Sequence, residues 1–225
     1  MNVEKKVTPI QVSIYEDNCS FLDSFSDLIR CTEGFELCTA THDPFRLLQD
    51  CREKNPDVVL VDMNINEQLG IETIRTVRNH CPETNIMALI AFEDSDRIFH
   101  ALCAGANGYL LKKSPLKQIL CTIEKLHRGG SLISGNIAQK TLGFFTNRPF
   151  FKKEKKYGQL SPFEVNLLKN FTMGDSYKMV ADANLIRIES VFLAIYHVYK
   201  KLQNGFKEIG RPISRIHQQS LLLPG

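Results

Sequence analysis

Short apolar runs alternate with longer stretches whose apolar residues recur every three to four positions, from residue 10 to about residue 128. The short runs are IQVSIY (10–15), FELCTAT (35–41), DVVLVD (57–62), IMALIA (86–91) and GYLLK (108–112), each of a length and β-branched content that predicts a buried strand. Between them the helical period predicts helices near 19–31, 44–54, 70–80, 95–104 and 115–128. Asp43 before Pro44 and Ser114 before Pro115 each place a capping side chain ahead of a first-turn proline. Connections this short imply right-handed crossovers and a parallel sheet with helices on both faces. Near-continuous apolar strands are what such double burial requires.

A second pattern follows. SLISGNIAQKTLGFF (131–145) predicts a short helix, and the lysine-rich TNRPFFKKEKKYGQ beyond it reads as linker, so residues 131–159 are expected to join two domains. At LSPFE, Ser161 caps, Pro162 takes the first helical position and Glu164 completes a capping box. Helical patterns follow near 162–173, 176–182 and 189–203. Val191, Ile195, Val198 and Leu202 recur at i, i+4, i+7 and i+11, the buried stripe of a helix. The expected organisation is a domain over 10–130, a linker over 131–159, a small helical domain over 160–204 and a tail over 205–225.

Charge divides along the same line. Residues 1–130 hold 14 Lys and Arg against 19 Asp and Glu, whereas residues 131–225 hold 14 against 6. The basic half points to a polyanionic partner. The seven cysteines are irregularly spaced and form no C-x-x-C pair, so they read as small core residues of a reducing compartment. No apolar run approaches the roughly 18 residues of a membrane span, and no leader-like apolar segment precedes the first strand. These features predict a cytoplasmic protein with no membrane partner.

In a sheet of this class, ligands bind beyond the C-terminal strand ends, at the switch point of the winding. With strand order 2-1-3-4-5, that position gathers Glu16 and Asp17 from the first strand, Asp62 from the third and Lys112 from the fifth. Clustered carboxylates raise one another's pKa unless a cation joins them. Mg²⁺ suits such a site, held by Glu16, Asp17 and Asp62 with the backbone carbonyl of Asn64 completing its coordination. Asp62 is then a candidate nucleophile toward phosphorus, with Lys112 offsetting charge on the transferring oxygens.

The stretches YEDN (15–18), PDVVLVDMN (56–64), Gly70 and AGANGYLLKKSP (104–115) together resemble the receiver domain of two-component response regulators. The resemblance implies a flavodoxin-like (βα)5 fold, phosphoryl transfer from a sensor histidine kinase to Asp62, and no activity beyond Mg-assisted self-phosphorylation and dephosphorylation. It also implies a switch in which Tyr109 is the moving aromatic. Receivers carry Ser or Thr at the end of the fourth strand, where this chain has Ile90, followed by the small Ala91. Isoleucine cannot bond a phosphoryl oxygen, so the switch is expected to couple differently.

The C-terminal part resembles the LuxR-type helix-turn-helix of the NarL/FixJ subfamily, through LSPFE (160–164), MGDSYKMVAD (173–182) and YKKLQ (199–203). That implies a DNA-binding homodimer regulating transcription, with Lys178, Arg187, His197, Lys200 and Lys201 placed to meet phosphates. The departures are Phe192, Leu193 and Ala194 where base-reading donors are expected, Arg187 at a capping position and Asn184 at an apolar one. An apolar patch of exposed Phe192, Leu193 and Tyr196 favours the alternative, an adaptor whose output is protein contact.

Overall fold

The computed structural model describes residues 8–63, 67–146 and 159–209, and the chain divides into two compact units after Ile133. The first unit contains β1 (Ile10–Tyr15), α1 (Cys19–Arg30), β2 (Phe35–Thr41), α2 (Pro44–Lys54) and β3 (Val58–Asp62). It continues with α3 (Glu67–His80), β4 (Asn85–Ile90), α4 (Ser95–Ala104), β5 (Gly108–Leu111) and α5 (Leu116–His127). The five strands are parallel, in the order β2-β1-β3-β4-β5. This is the doubly wound sheet that the alternation of patterns predicts.

Side chains of alternate strand residues feed two helical layers. Val12, Ile14, Val58, Leu60, Met87 and Leu89 pack on one face against Leu22, Phe25 and Ile29 of α1 and Ile119, Ile123 and Leu126 of α5. The intervening residues, including Val59, Val61, Ile86, Ala88 and Ile90, are equally buried, and α2, α3 and α4 contact β1, β3 and β4 from that side. Pairing of β1 with β2 slips once, between Val12/Leu37 and Ser13/Thr39, leaving Cys38 as the extra residue of a bulge.

Two details differ from the sequence reading. Asp43 does cap α2, its carboxylate accepting from the Phe45 N–H at 2.9 Å, but α5 starts one residue later than expected, after Pro115, and Ser114 makes no cap. Cys19, Cys31 and Cys121 are exposed rather than core residues, while burial pushes the Cys51 thiol up to about 12. A thiolate buried away from water is costly, so Cys51 is inert.

The second unit contains α6 (Gly135–Thr146), α7 (Pro162–Thr172), α8 (Tyr177–Ala183) and α9 (Ile188–Ile209). The helix of residues 135–146, expected within a linker, instead packs on α7. Gly135 makes this possible: a Cβ there would lie 2.8 Å from the Phe171 carbonyl oxygen. Ile137, Ala138, Phe144 and Phe145 are accordingly buried. The capping box forms at α7, with Ser161 Oγ accepting from the Glu164 N–H at 3.2 Å and Glu164 Oε2 accepting from the Ser161 N–H at 2.6 Å. Val191, Ile195, Val198 and Leu202 are all fully buried along α9, which runs five residues beyond the expected domain end at 204.

Leu185, in the turn between α8 and α9, has φ +53° and is 95% exposed. A left-handed backbone crowds an L side chain against its own carbonyl, and an exposed side chain recovers nothing by packing. Leu185→Gly should therefore raise the stability of the full chain by about 1 kcal/mol in thermal or denaturant unfolding. A lower stability would show that the leucine side chain contributes in place.

Candidate functional site

The pairing of β1 with β3 runs from Val12/Val58 to Tyr15/Val61, so the next residues on each strand, Glu16 and Asp62, emerge side by side. On the far side, the Lys112 N–H donates to the Ile90 carbonyl at 2.9 Å, extending the β4–β5 ladder one residue past β5. That bond fixes where the lysine side chain starts. Its ammonium lies 2.5 Å from Glu16 Oε2 and 2.9 Å from Asp62 Oδ1, bridging two carboxylates that are fully buried while Lys112 is only 14% exposed. Glu16 Oε1 accepts from the Asn18 N–H at 3.1 Å. Asn18 itself caps α1, its side chain accepting from the Phe21 N–H at 3.0 Å. The ring of Phe21 then lies beneath the same ammonium, 4.7 Å from its centroid.

The electrostatics of this pocket are unbalanced. Glu16, Asp17 and Asp62 can bring carboxylate oxygens within 4.8 Å of one another, and one ammonium faces them. Burial holds the Glu16 carboxyl up to about 7, with the Lys112 hydrogen bond opposing and the Asp62 charge adding to the rise. Burial and then the charges of Asp17, Asp62, Asp43 and Glu16 likewise raise Tyr15. The site is short of positive charge. An all-oxygen, carboxylate-rich donor set of this kind fits a hard divalent cation. Buried ion pairs of this type cost desolvation that hydrophobic residues would not, which makes a pocket built of them a functional candidate.

Packing against the pocket is tight. A Cβ at Gly70 in α3 would lie 2.9 Å from the Asp62 carbonyl oxygen and 2.9 Å from Met63 Sδ, so α3 reaches the end of β3 only because residue 70 has no side chain. Ile90 is fully buried, its side chain part of the core. Ala91, the residue after β4, and Tyr109, the second residue of β5, are half-buried, and Asn64 lies outside the described residues. The sequence reading brings out Glu16, Asp17, Asp62 and Lys112, which the structure gathers, but it misses Phe21. Its signal was present: Phe21 is the third residue after the α1 cap, where a helical side chain leans back toward the strand ends.

In the second unit the basic residues fall into two sets, Lys178 and Arg187 apart from His197, Lys200 and Lys201. Lys178 and His197 are exposed, and Arg187 is exposed with Glu189 Oε2 at 3.4 Å from its Nε. Lys201 is engaged within the unit, 2.6 Å from Glu164 Oε2 and 3.3 Å from the Gln159 carbonyl, so its charge is partly neutralised. Lys200 lies 5.3 Å from the Tyr196 ring centroid. His197, Lys200 and Lys201 share an open groove of about 430 Å³ with Phe163 and Leu193. The expected apolar patch is smaller than the sequence suggests. Phe192 is half-buried, its ring 5.0 Å from that of Tyr177, and Tyr196 is half-buried too, which leaves Leu193 as the exposed member.

A profile of the response regulator receiver domain matches residues 12–124, from β1 into α5. The oxygen regulatory protein NreC of Staphylococcus epidermidis is 24% identical over 198 residues, spanning 86% of this chain and 91% of NreC. A LuxR-family two-component response regulator from Aurantimonas sp. SI85-9A1 superposes with a TM-score of 0.53 at 25% identity, covering 59% of this chain and 94% of its own. The RcsB response regulator of Salmonella typhimurium, at 16% identity, shares the fold over 96% of this chain and 100% of its own, with a TM-score of 0.53. The profile covers half of the sequence and includes every strand whose end builds the carboxylate pocket: the chain belongs to the response regulator receiver domain family.

Proposed function

We propose that this response regulator accepts a phosphoryl group on Asp62 from a sensor histidine kinase and passes the signal to a DNA-binding helix-turn-helix formed by its second unit, regulating transcription as a homodimer. The observation that carries the first half is the Lys112 ammonium between Asp62 and Glu16. Asp62 Oδ attacks phosphorus, the bond from phosphorus to the donor nitrogen breaks, and its electron pair returns to the imidazole, which takes up a proton from solvent. An acyl phosphate on Asp62 results. Lys112 is already within contact of the attacking carboxylate and meets the negative charge of the arriving phosphoryl oxygens. Glu16, Asp17 and Asp62 are the residues to hold Mg²⁺. When bound, the ion supplies positive charge to the same oxygens. The later hydrolysis of the acyl phosphate by water is the matching self-dephosphorylation.

Ile90 bears on the output. Its side chain is buried in the core and carries no hydroxyl, so the conformational response to phosphorylation has to arise through other groups, with Tyr109 on the neighbouring strand, paired with Ala88, as the candidate. DNA binding rests on the basic excess of the second half, on the exposed Lys178, Arg187 and His197, and on the fold shared with an RcsB–DNA complex, which superposes at a TM-score of 0.52 and 18% identity over 87% of this chain. Leu193 exposed on α9, in place of a donor, predicts weak reading of base edges and binding dominated by phosphates. The same exposure, with Met179 and Leu185 nearby in sequence, supports a second reading in which this unit contacts protein.

Incubation with a small-molecule phosphodonor and Mg²⁺ should add one phosphoryl group by mass spectrometry. Asp62→Asn should abolish the modification and Lys112→Ala slow it roughly a hundredfold. Modification that persists in Asp62→Asn would refute the assignment.

DNA binding by the full chain should weaken steeply with salt, and Lys178→Ala or Arg187→Ala should each reduce the slope of log K against log [salt] by about 1. Binding that does not respond to salt, or no binding at low salt, would move the output to protein contacts.

A further inference from the structure

We propose that Phe21 is a positioning residue for phosphoryl transfer, its ring face holding the Lys112 ammonium at Asp62; the inference deepens the phosphoacceptor reading and rests on it. A lysine ammonium sits on a flexible four-carbon stem and, left to itself, spreads over many rotamers. Glu16 and Asp62 hold this one from the strand side. The Phe21 ring supplies a third contact, 4.7 Å from ammonium to centroid, and its negative π face attracts the cation without offering it a competing carboxylate.

The ring is itself held in place. Phe21 stacks on Phe25 with centroids 4.5 Å apart and planes 27° from parallel, and Phe25 is a buried member of the core shared by α1, α5 and the sheet. Its backbone N–H is fixed by the Asn18 cap, two residues after Glu16 in the chain. A continuous run of contacts thus leads from the core through Phe25 and Phe21 to Lys112 and Asp62. A group fixed before the reaction contributes more to transition-state stabilisation than one that must be ordered during it.

Leucine at this position keeps apolar bulk but has no π face, and tryptophan keeps both. The test compares wild type, Phe21→Leu and Phe21→Trp as full-length proteins in two measurements. The first is the NMR signals of the Lys112 side chain, which a ring face shifts upfield and whose ammonium protons exchange slowly when held. The second is the rate of Asp62 modification by a phosphodonor at saturating Mg²⁺. The expected result is a Lys112 side chain that loses both signatures in Phe21→Leu, with modification slowed roughly three- to tenfold, and recovers both in Phe21→Trp. Unchanged Lys112 signals in Phe21→Leu, or an unchanged rate of modification, would overturn the proposal. Should wild type resist modification while the Lys112 signals still follow the ring, the positioning contact stands and the phosphoacceptor reading falls.

Discussion

The first unit is organised around one ammonium held between two buried carboxylates. Lys112 reaches Glu16 and Asp62 only because β3 and β4 lie between β1 and β5 in the sheet, and because the Ile90 carbonyl fixes the lysine backbone at the end of β5. Burying these charges is costly. The cost is sustained by a core of strand residues packed on both faces, and by Gly70, which lets α3 close over the end of β3. Even so, burial and then the nearby Asp62 charge hold the Glu16 carboxyl above its ordinary range, against the Lys112 hydrogen bond.

Much of this architecture is legible in the sequence, because two strong periodicities alternate. Every strand of the sheet falls within a residue or so of its apolar run, and the convergence of residues 16, 62 and 112 follows from strand order alone. Contacts that depend on tertiary placement are not legible in this way. Ser114 precedes a proline as a cap would, yet the chain stays extended for one more residue and α5 begins without it. Phe21 looks like an ordinary apolar helix residue until the fold brings Lys112 over its ring. Residues 135–146 resemble a helix in a linker because a lysine-rich stretch follows them, but Gly135 against the Phe171 carbonyl commits that helix to the second unit.

The second unit packs its helices around a regular apolar stripe. The buried stripe of α9 is intact, and the Ser161–Glu164 capping box is formed, with Lys201 drawn onto Glu164. Phe192, which sequence alone places on the reading face, spends part of its surface on Tyr177, and Tyr177 in turn packs on Phe171. An aromatic cluster therefore occupies a position where the sequence leads one to expect a base-reading side chain, and it links α7, α8 and α9. Arg187 and Lys178 remain outside this cluster.

The central claim is that Glu16, Asp17 and Asp62 form a cation site beside Lys112. Titration with Mn²⁺, whose unpaired electrons broaden nearby NMR signals, tests it without needing phosphoryl transfer. The account predicts broadening centred on the backbone amides of residues 15–18, 62–63 and 111–113, reversed by excess Mg²⁺ and lost in Asp17→Asn. Broadening centred elsewhere, or none at these residues while the fold is intact, would contradict it.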